Sequence, residues 1–298
     1  MLVFPTRPGI GMTETDDAEP GTATTPPFGP ALHRYARGQL DAAGEWLRVD
    51  GEPGKRLHKG IHQGRKALRR VRATLALGQP ALGPGAELVD RELRRLVRGL
   101  GDVRDGQALV ETLDRLHADS SGTPIAANLE HARRAVVRRR AALAEATLAA
   151  DPGLARRRAM LAALAGTLDA LPWHALDADT VAEALRASAA SVEQARARVA
   201  ATGRDRHWHR WRRRMRRQSQ QYTALQDGGL DPPRGQSAGS AAGVDKDTAV
   251  LLGVAQDLSL LLDHCDRGGG FGKADRTALA AFAQAELAKL RERLRACA

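Results

Sequence analysis

A chain of 298 residues, 43% of them hydrophobic, is long enough for one large domain or two modest ones around a real buried core. Aromatic residues make up only 3%, and Ala and Leu dominate the apolar set, which excludes an all-β sandwich or barrel and points to an all-α fold. Lys and Arg outnumber Asp and Glu by 46 to 35, a formal net charge of +11, and all but six of the 46 are Arg, whose planar, always-charged fork suits phosphate and carboxylate oxygens. A partner carrying many negative charges is the first expectation. The plainer reading is a solvated basic surface in an Arg-preferring, high-GC bacterium.

In chain order, residues 1–29 are rich in Pro, Thr and Gly without periodicity and read as a disordered leader, with Met12 as an alternative start. From Ala31 the apolar residues recur at helical spacing. Helices are predicted over 31–49, 55–78, 85–100, 104–118, 124–150, 154–170, 178–202, 205–226, 247–265 and 273–296. The breakers between them include GEPG at 51–54, GPG at 83–85, SSGTP at 120–124 and DPG at 151–153. Residues 227–246 read as a flexible insert and 267–272 as a tighter loop. No alternating β-branched run predicts a sheet. The domain reading is therefore a single helical body over 30–298, with a first half at about 30–150 and a second at about 151–298.

Cys265 and Cys297 form neither a disulfide framework nor a metal cluster, and nothing requires an oxidising compartment. The start lacks the basic and apolar regions of a signal peptide. The apolar stretch from Thr248 to Leu262 is interrupted by Gln256 and Asp257 and reads as too short to span a bilayer. The expectation is a cytoplasmic protein away from the membrane, with no cofactor.

Laid against itself, the chain shows a repeat. His62, Arg65, Lys66, Leu68, Arg69 and Arg70 share their offsets with His209, Arg212, Arg213, Met215, Arg216 and Arg217. Downstream, Leu100-Gly101 with Asp105 matches Leu252-Gly253 with Asp257, at 43 residues from the His in the first copy and 48 in the second. Each Asp reads as opening a helix. On a wheel of roughly 100° per residue, His58, His62, Arg65, Lys66 and Arg69 share one face, and Leu57, Gly64, Leu68, Val71 and Leu75 the other. In the second copy His209, Arg212, Arg213 and Arg216 oppose Trp208, Trp211, Met215 and Tyr222. From Lys55 to Ala86, and again from Arg206 to Gln226, there is no Asp or Glu. Like charges at i,i+4 each cost about 0.2–0.5 kcal/mol, so the missing counter-charge points to acids on other helices or to a bound polyanion.

The pattern HxxRKxxRRxR followed by LGxxRDxxxL, repeated in degenerate form, resembles the CHAD family, the conserved-histidine α-helical domain. The first copy carries the match at His62, Arg65, Arg69, Arg70, Arg72, Leu100, Gly101, Arg104 and Asp105. The second is weaker: Tyr222 is displaced from the positions of Ser219 and Gln220, and Gln256 replaces a basic residue. The resemblance implies two four-helix bundles related by a pseudo-two-fold axis, with a basic groove between them. It also implies binding of inorganic polyphosphate and association with polyphosphate granules and their proteins. No ExExK motif of a fused triphosphate tunnel domain is present.

On this reading the polyphosphate ligands are His62, Arg65, Lys66, Arg69, Arg72, Arg98, Arg104, His209, Arg212, Arg213 and Arg216. Arg forks bridge adjacent phosphate oxygens, and a His near bound phosphate gains charge around neutral pH. Asp105 and Asp257 are expected to cap helices and anchor a neighbouring Arg or His rather than to act as a general acid or base. GGGFG at 268–272 lacks the GK[ST] ending of a phosphate loop, so no enzyme is predicted. Two other readings stay open. HWHRWRRRMRRQ interleaves Trp with Arg, as a nucleic-acid-binding surface does, although the wheel sends Trp208 and Trp211 to the apolar face. The other is a polyphosphate-processing enzyme.

Overall fold

The computed structural model describes residues 27–49, 54–233, 246–266 and 270–296. Nearly all of the expected leader, part of the 51–54 breaker, most of the 227–246 insert, half of the 267–272 loop and Cys297 lie outside the described residues. Among the described residues there are nine α-helices, two 3-10 turns and no strand. The helices are α1 (Phe28–Trp46), α2 (Gly54–Gly99), α3 (Gly101–Asp119), α4 (Ala126–Ala150), α5 (Ala155–Asp169), α6 (Ala178–Thr202), α7 (Asp205–Asp227), α8 (Lys246–Asp266) and α9 (Lys273–Ala296).

Local signals set several ends. The Asp177 carboxylate accepts the Thr180 backbone N–H at 2.9 Å to open α6, and Gly203 at φ 60° closes it. The predicted break at 83–85 is present, as a sharp turn between two helical limbs that together make up α2. Only Gly83 leaves helical space (φ 67°, ψ −166°), and Pro84 then starts a second limb, where its missing N–H costs nothing. Both limbs bury apolar residues in the same cluster, Leu77 and Leu82 from the first and Ala86, Val89 and Leu93 from the second.

Phe28 and Gly29, read from sequence as leader, begin α1. A Cβ on Gly29 would lie 1.8 Å from the Trp173 carbonyl oxygen, so backbone packs directly on backbone there. The Trp173 ring stacks on His33 at 5.4 Å and donates to the Leu168 carbonyl at 2.8 Å. Asp169 accepts from His33 at 2.8 Å and Arg37 at 3.2 Å, tying α5 to α1.

Two apolar clusters hold the helices together. The first joins α1, α2 and α5 to the start of α6 and the end of α7. The second joins most of α3, the start of α4, the end of α6, the start of α7, and α8 and α9. Each cluster thus draws on residues from both sides of position 150. Helix α8 also revises a sequence expectation. Asp247–Asp266, 20 residues at mean hydropathy 1.2, is long and apolar enough to span a bilayer by length and composition. Here its Leu252, Ala255, Leu258 and Leu261 are spent on the second cluster.

Candidate functional site: an arginine-lined cavity

The wheel assignments of α2 and α7 are realised. Leu57, Gly64, Leu68, Val71 and Leu75 are buried on α2, and Trp208, Trp211, Met215 and Tyr222 on α7. That leaves the basic faces of both helices free to meet. They do so around a cavity of ≈ 540 Å³, closed by α3 and α8. His62, Arg65, Lys66 and Arg69 line it from α2, Arg104 and Asp105 from α3, Arg212 and Arg216 from α7, and Asp257 from α8.

Individual contacts are sparse for so many cations. Arg65 Nη1 donates to the Val97 carbonyl at 2.6 Å, while its Nε is buried without a hydrogen-bond partner among the described residues. The Arg69 Nε is likewise buried and unpartnered. Arg104 pairs with Glu111 at 3.3 Å. Arg212 and Arg216 have no carboxylate within ion-pairing distance among the described residues.

Crowding shows in the proton affinities. Burial, and then the charges of Arg216, Arg65, Arg212 and Arg104, push Arg69 down to about 9. Burial and Arg212 push Arg216 down to about 10, against the pull of Asp257. Both stay cationic at neutral pH, in strained company. Burial raises the carboxyls of Asp105 and Asp257, although Arg65 and Arg212 respectively favour their charged forms. Burial lowers His62, and Arg104, Arg69 and Lys66 lower it further against the pull of Glu111, which favours the neutral imidazole in the free protein.

The repeated Leu-Gly-Asp elements now have a physical meaning. Leu100 and Leu252 are buried core residues. A Cβ on Gly101 would sit 3.6 Å from Arg65 Nη1, and one on Gly253 would sit 3.6 Å from Arg212 Nη2. Each glycine lets a guanidinium lie close over helix backbone. Each Asp places its charge near that same Arg. Neither Asp caps a helix, contrary to the sequence reading. Asp105 lies one turn inside α3, whose N-cap is Leu100, and Asp257 is in the middle of α8.

Four expected ligands are not brought to the cavity. Arg72 pairs with Asp90 at 2.7 Å, because the bend at Gly83 folds the second limb of α2 back beside it. Arg98 is exposed near the end of that limb, and Arg213 is exposed one position round from Arg212. His209 is half-buried one turn before Arg212, under the influence of Asp205, Asp263, Arg213 and Arg291. Conversely, Arg70, Ser219, Gln220, Thr223 and Gln256 line the cavity unpredicted. Ser219, Gln220 and Thr223 continue the face of Arg212 and Arg216 at helical spacing, a signal present in the sequence but carried by uncharged residues.

The sequence pattern of the CHAD domain matches residues 34–266. The chain belongs to the CHAD domain family. No curated protein sequence matches it. The crystal structure of the CHAD domain from the plant Ricinus communis is similar, with a TM-score of 0.62 at 20% identity, over 91% of this chain and 92% of that one. PptA from Streptomyces chartreusis also has a TM-score of 0.62 at 20% identity, over 91% of this chain and 98% of its own. At that identity the likeness speaks for the CHAD fold. Helix α9 lies beyond the matched span, yet its Leu279, Ala283 and Leu287 complete the second cluster.

Proposed function

We propose that this CHAD domain protein binds inorganic polyphosphate, without turning it over, in a cationic groove formed by the Arg-lined cavity. The observation that carries the reading is the convergence of Arg65, Arg69, Arg104, Arg212 and Arg216 from three helices, with two Asp beside them. Such an arrangement works against the unliganded fold, since buried like charges repel and their N–H groups lack acceptors. An extended chain of phosphates supplies negative charge and acceptors together. Residues four apart on one helix face sit about 6 Å apart, a spacing at which successive forks follow neighbouring phosphates. Asp105 and Asp257 act as counter-charges that orient Arg65 and Arg212. Binding of this kind would place the protein on polyphosphate granules in the cytoplasm, with granule-associated proteins as neighbours.

The test is titration of the purified chain with long polyphosphate across a salt series, against duplex DNA of matched charge. Arg65→Ala/Arg69→Ala and Arg212→Ala/Arg216→Ala should each weaken polyphosphate binding by about tenfold or more and flatten its salt dependence. Melting temperatures should hold or rise, because like-charge repulsion is relieved. Arg72→Ala serves as the control that leaves affinity unchanged, its charge being already paired with Asp90. Unchanged affinity in both double variants, or a preference for DNA, sinks the reading. Phosphate release over time would convert it to a polyphosphate-processing enzyme. In cells, a fluorescent fusion should collect on granules, and the fusion carrying both double substitutions should not.

A further inference from the structure

A second cavity, of ≈ 650 Å³, lies on the opposite side of α7 from the Arg-lined one. At roughly 100° per residue, Arg214, Arg217 and Gln221 centre about 150° round the helix from Arg212 and Arg216. The cavity lies beside the turn of α2 at Gly83, and Ala184 and Ala187 of α6 supply its apolar lining. The volume is that of an ordinary small-ligand pocket.

Two features point to a ligand. Gln221 is 2% exposed, lines this cavity, and its Oε1 is buried without a hydrogen-bond partner among the described residues. A buried acceptor left unmade is costly, and helical packing offers no reason to keep it. Arg217 is the second feature. The carboxylate that most favours its charge is Asp90, which is already engaged by Arg72 at 2.7 Å and Arg94 at 2.9 Å. Among the described residues neither Arg217 nor Arg214 has a hydrogen-bond or ion-pair partner, and both line the cavity.

The balance of charge differs from the first site. Glu87 and Glu183 face Arg214 and Arg217 across the cavity, two acids against two bases. A long polyanion gains nothing from such a wall, whereas a molecule with one anionic group does. We propose that this cavity binds a small organic anion of nucleoside monophosphate size. Its phosphate meets Arg214 and Arg217, an N–H or O–H of its body donates to Gln221 Oε1, and its flat apolar face lies on Ala184 and Ala187.

The assignment is independent of polyphosphate binding and is tested on the full chain by calorimetric titration with adenosine, guanosine, cytidine and uridine monophosphates. At least one should bind saturably, and should do so equally well when polyphosphate already saturates the protein. Arg217→Gln, and separately Gln221→Leu, should weaken that binding by about tenfold. Arg214→Gln, at an exposed position, serves if either variant fails to fold. Arg212→Ala/Arg216→Ala should leave it unchanged. Binding of none of the four, displacement by polyphosphate, or indifference to Arg217→Gln and Arg214→Gln overturns the proposal. Nucleotide binding by a chain that ignores polyphosphate would instead overturn the groove reading and leave this one standing.

Discussion

His62 sits where added positive charge is costly. Burial and the cations Arg104, Arg69 and Lys66 hold its imidazole below the ordinary value of 6.5 in the free protein. Bound phosphate reverses the sign of the local field and raises it. Between the two values the complex holds one more proton than the free protein, so affinity should increase as pH falls through the bound-state value and level off below the free-state one. Proton uptake measured by calorimetry in buffers of different ionisation enthalpy should accompany binding, and His62→Gln should abolish it. Equal uptake in the variant would move the effect elsewhere. Trp211 tests the opposite kind of residue. It is 3% exposed, tilted against Trp208 at 5.9 Å, and its Nε1 has no hydrogen-bond partner among the described residues. Trp211→Ala should cost about 3–5 kcal/mol of stability. Trp211→Phe should cost far less, because it also removes an unsatisfied donor. Denaturant unfolding measures both, and polyphosphate affinity should survive wherever the fold does.

Among the elements, α2 is the instructive one. Gly83 occupies a region of backbone space essentially closed to other residues, while a Cβ there would meet nothing within 4 Å. The cost of Gly83→Ala is therefore conformational alone, of order 1–3 kcal/mol, and thermal unfolding should show it. An unchanged melting temperature would mean that the bend can migrate to Pro80. The same helix marks the limit of what the sequence discloses. The α6 and α9 ranges were legible residue for residue, because periodic apolar positions were bounded by recognisable breakers. The GPG at 83–85 was equally recognisable, but how far the second limb turns back there depends on Leu82, Ala86 and Val89 finding the same core as Leu77. The site follows the same logic. The repeat disclosed the Arg pairs of α2 and α7, since periodicity and the absence of acids are properties of one segment. It could not disclose that Asp90 returns to neutralise Arg72, or that His209 stops short of the cavity, because those depend on which helix comes to lie opposite.

The whole molecule is organised by the intermixing of its two apolar clusters. Leu57, Leu68 and Leu75 of α2 share their cluster with Leu161 and Leu168 of α5, Leu185 of α6 and Leu225 of α7. During synthesis at 5–20 residues per second, the early helices emerge on the order of ten seconds before the segments that cover them. Over that interval α1 and α2 carry an uncovered apolar face beside a dense run of positive charge, an attractive target for chaperones and for the negatively charged surface of the ribosome itself. Residues 27–150 made alone should therefore stay protease-sensitive and bind a hydrophobic dye, whereas a chain extended through Leu230 should protect α1 and α2 even before α8 is made. Released fragments of those two lengths, probed by limited proteolysis, would show it. Protection already present at residue 150 would contradict it. A protein proposed to hold a polyanion thus passes the first part of its existence beside one of the largest polyanions in the cell, and the late arrival of α7 marks the point at which its two cationic helices first face each other.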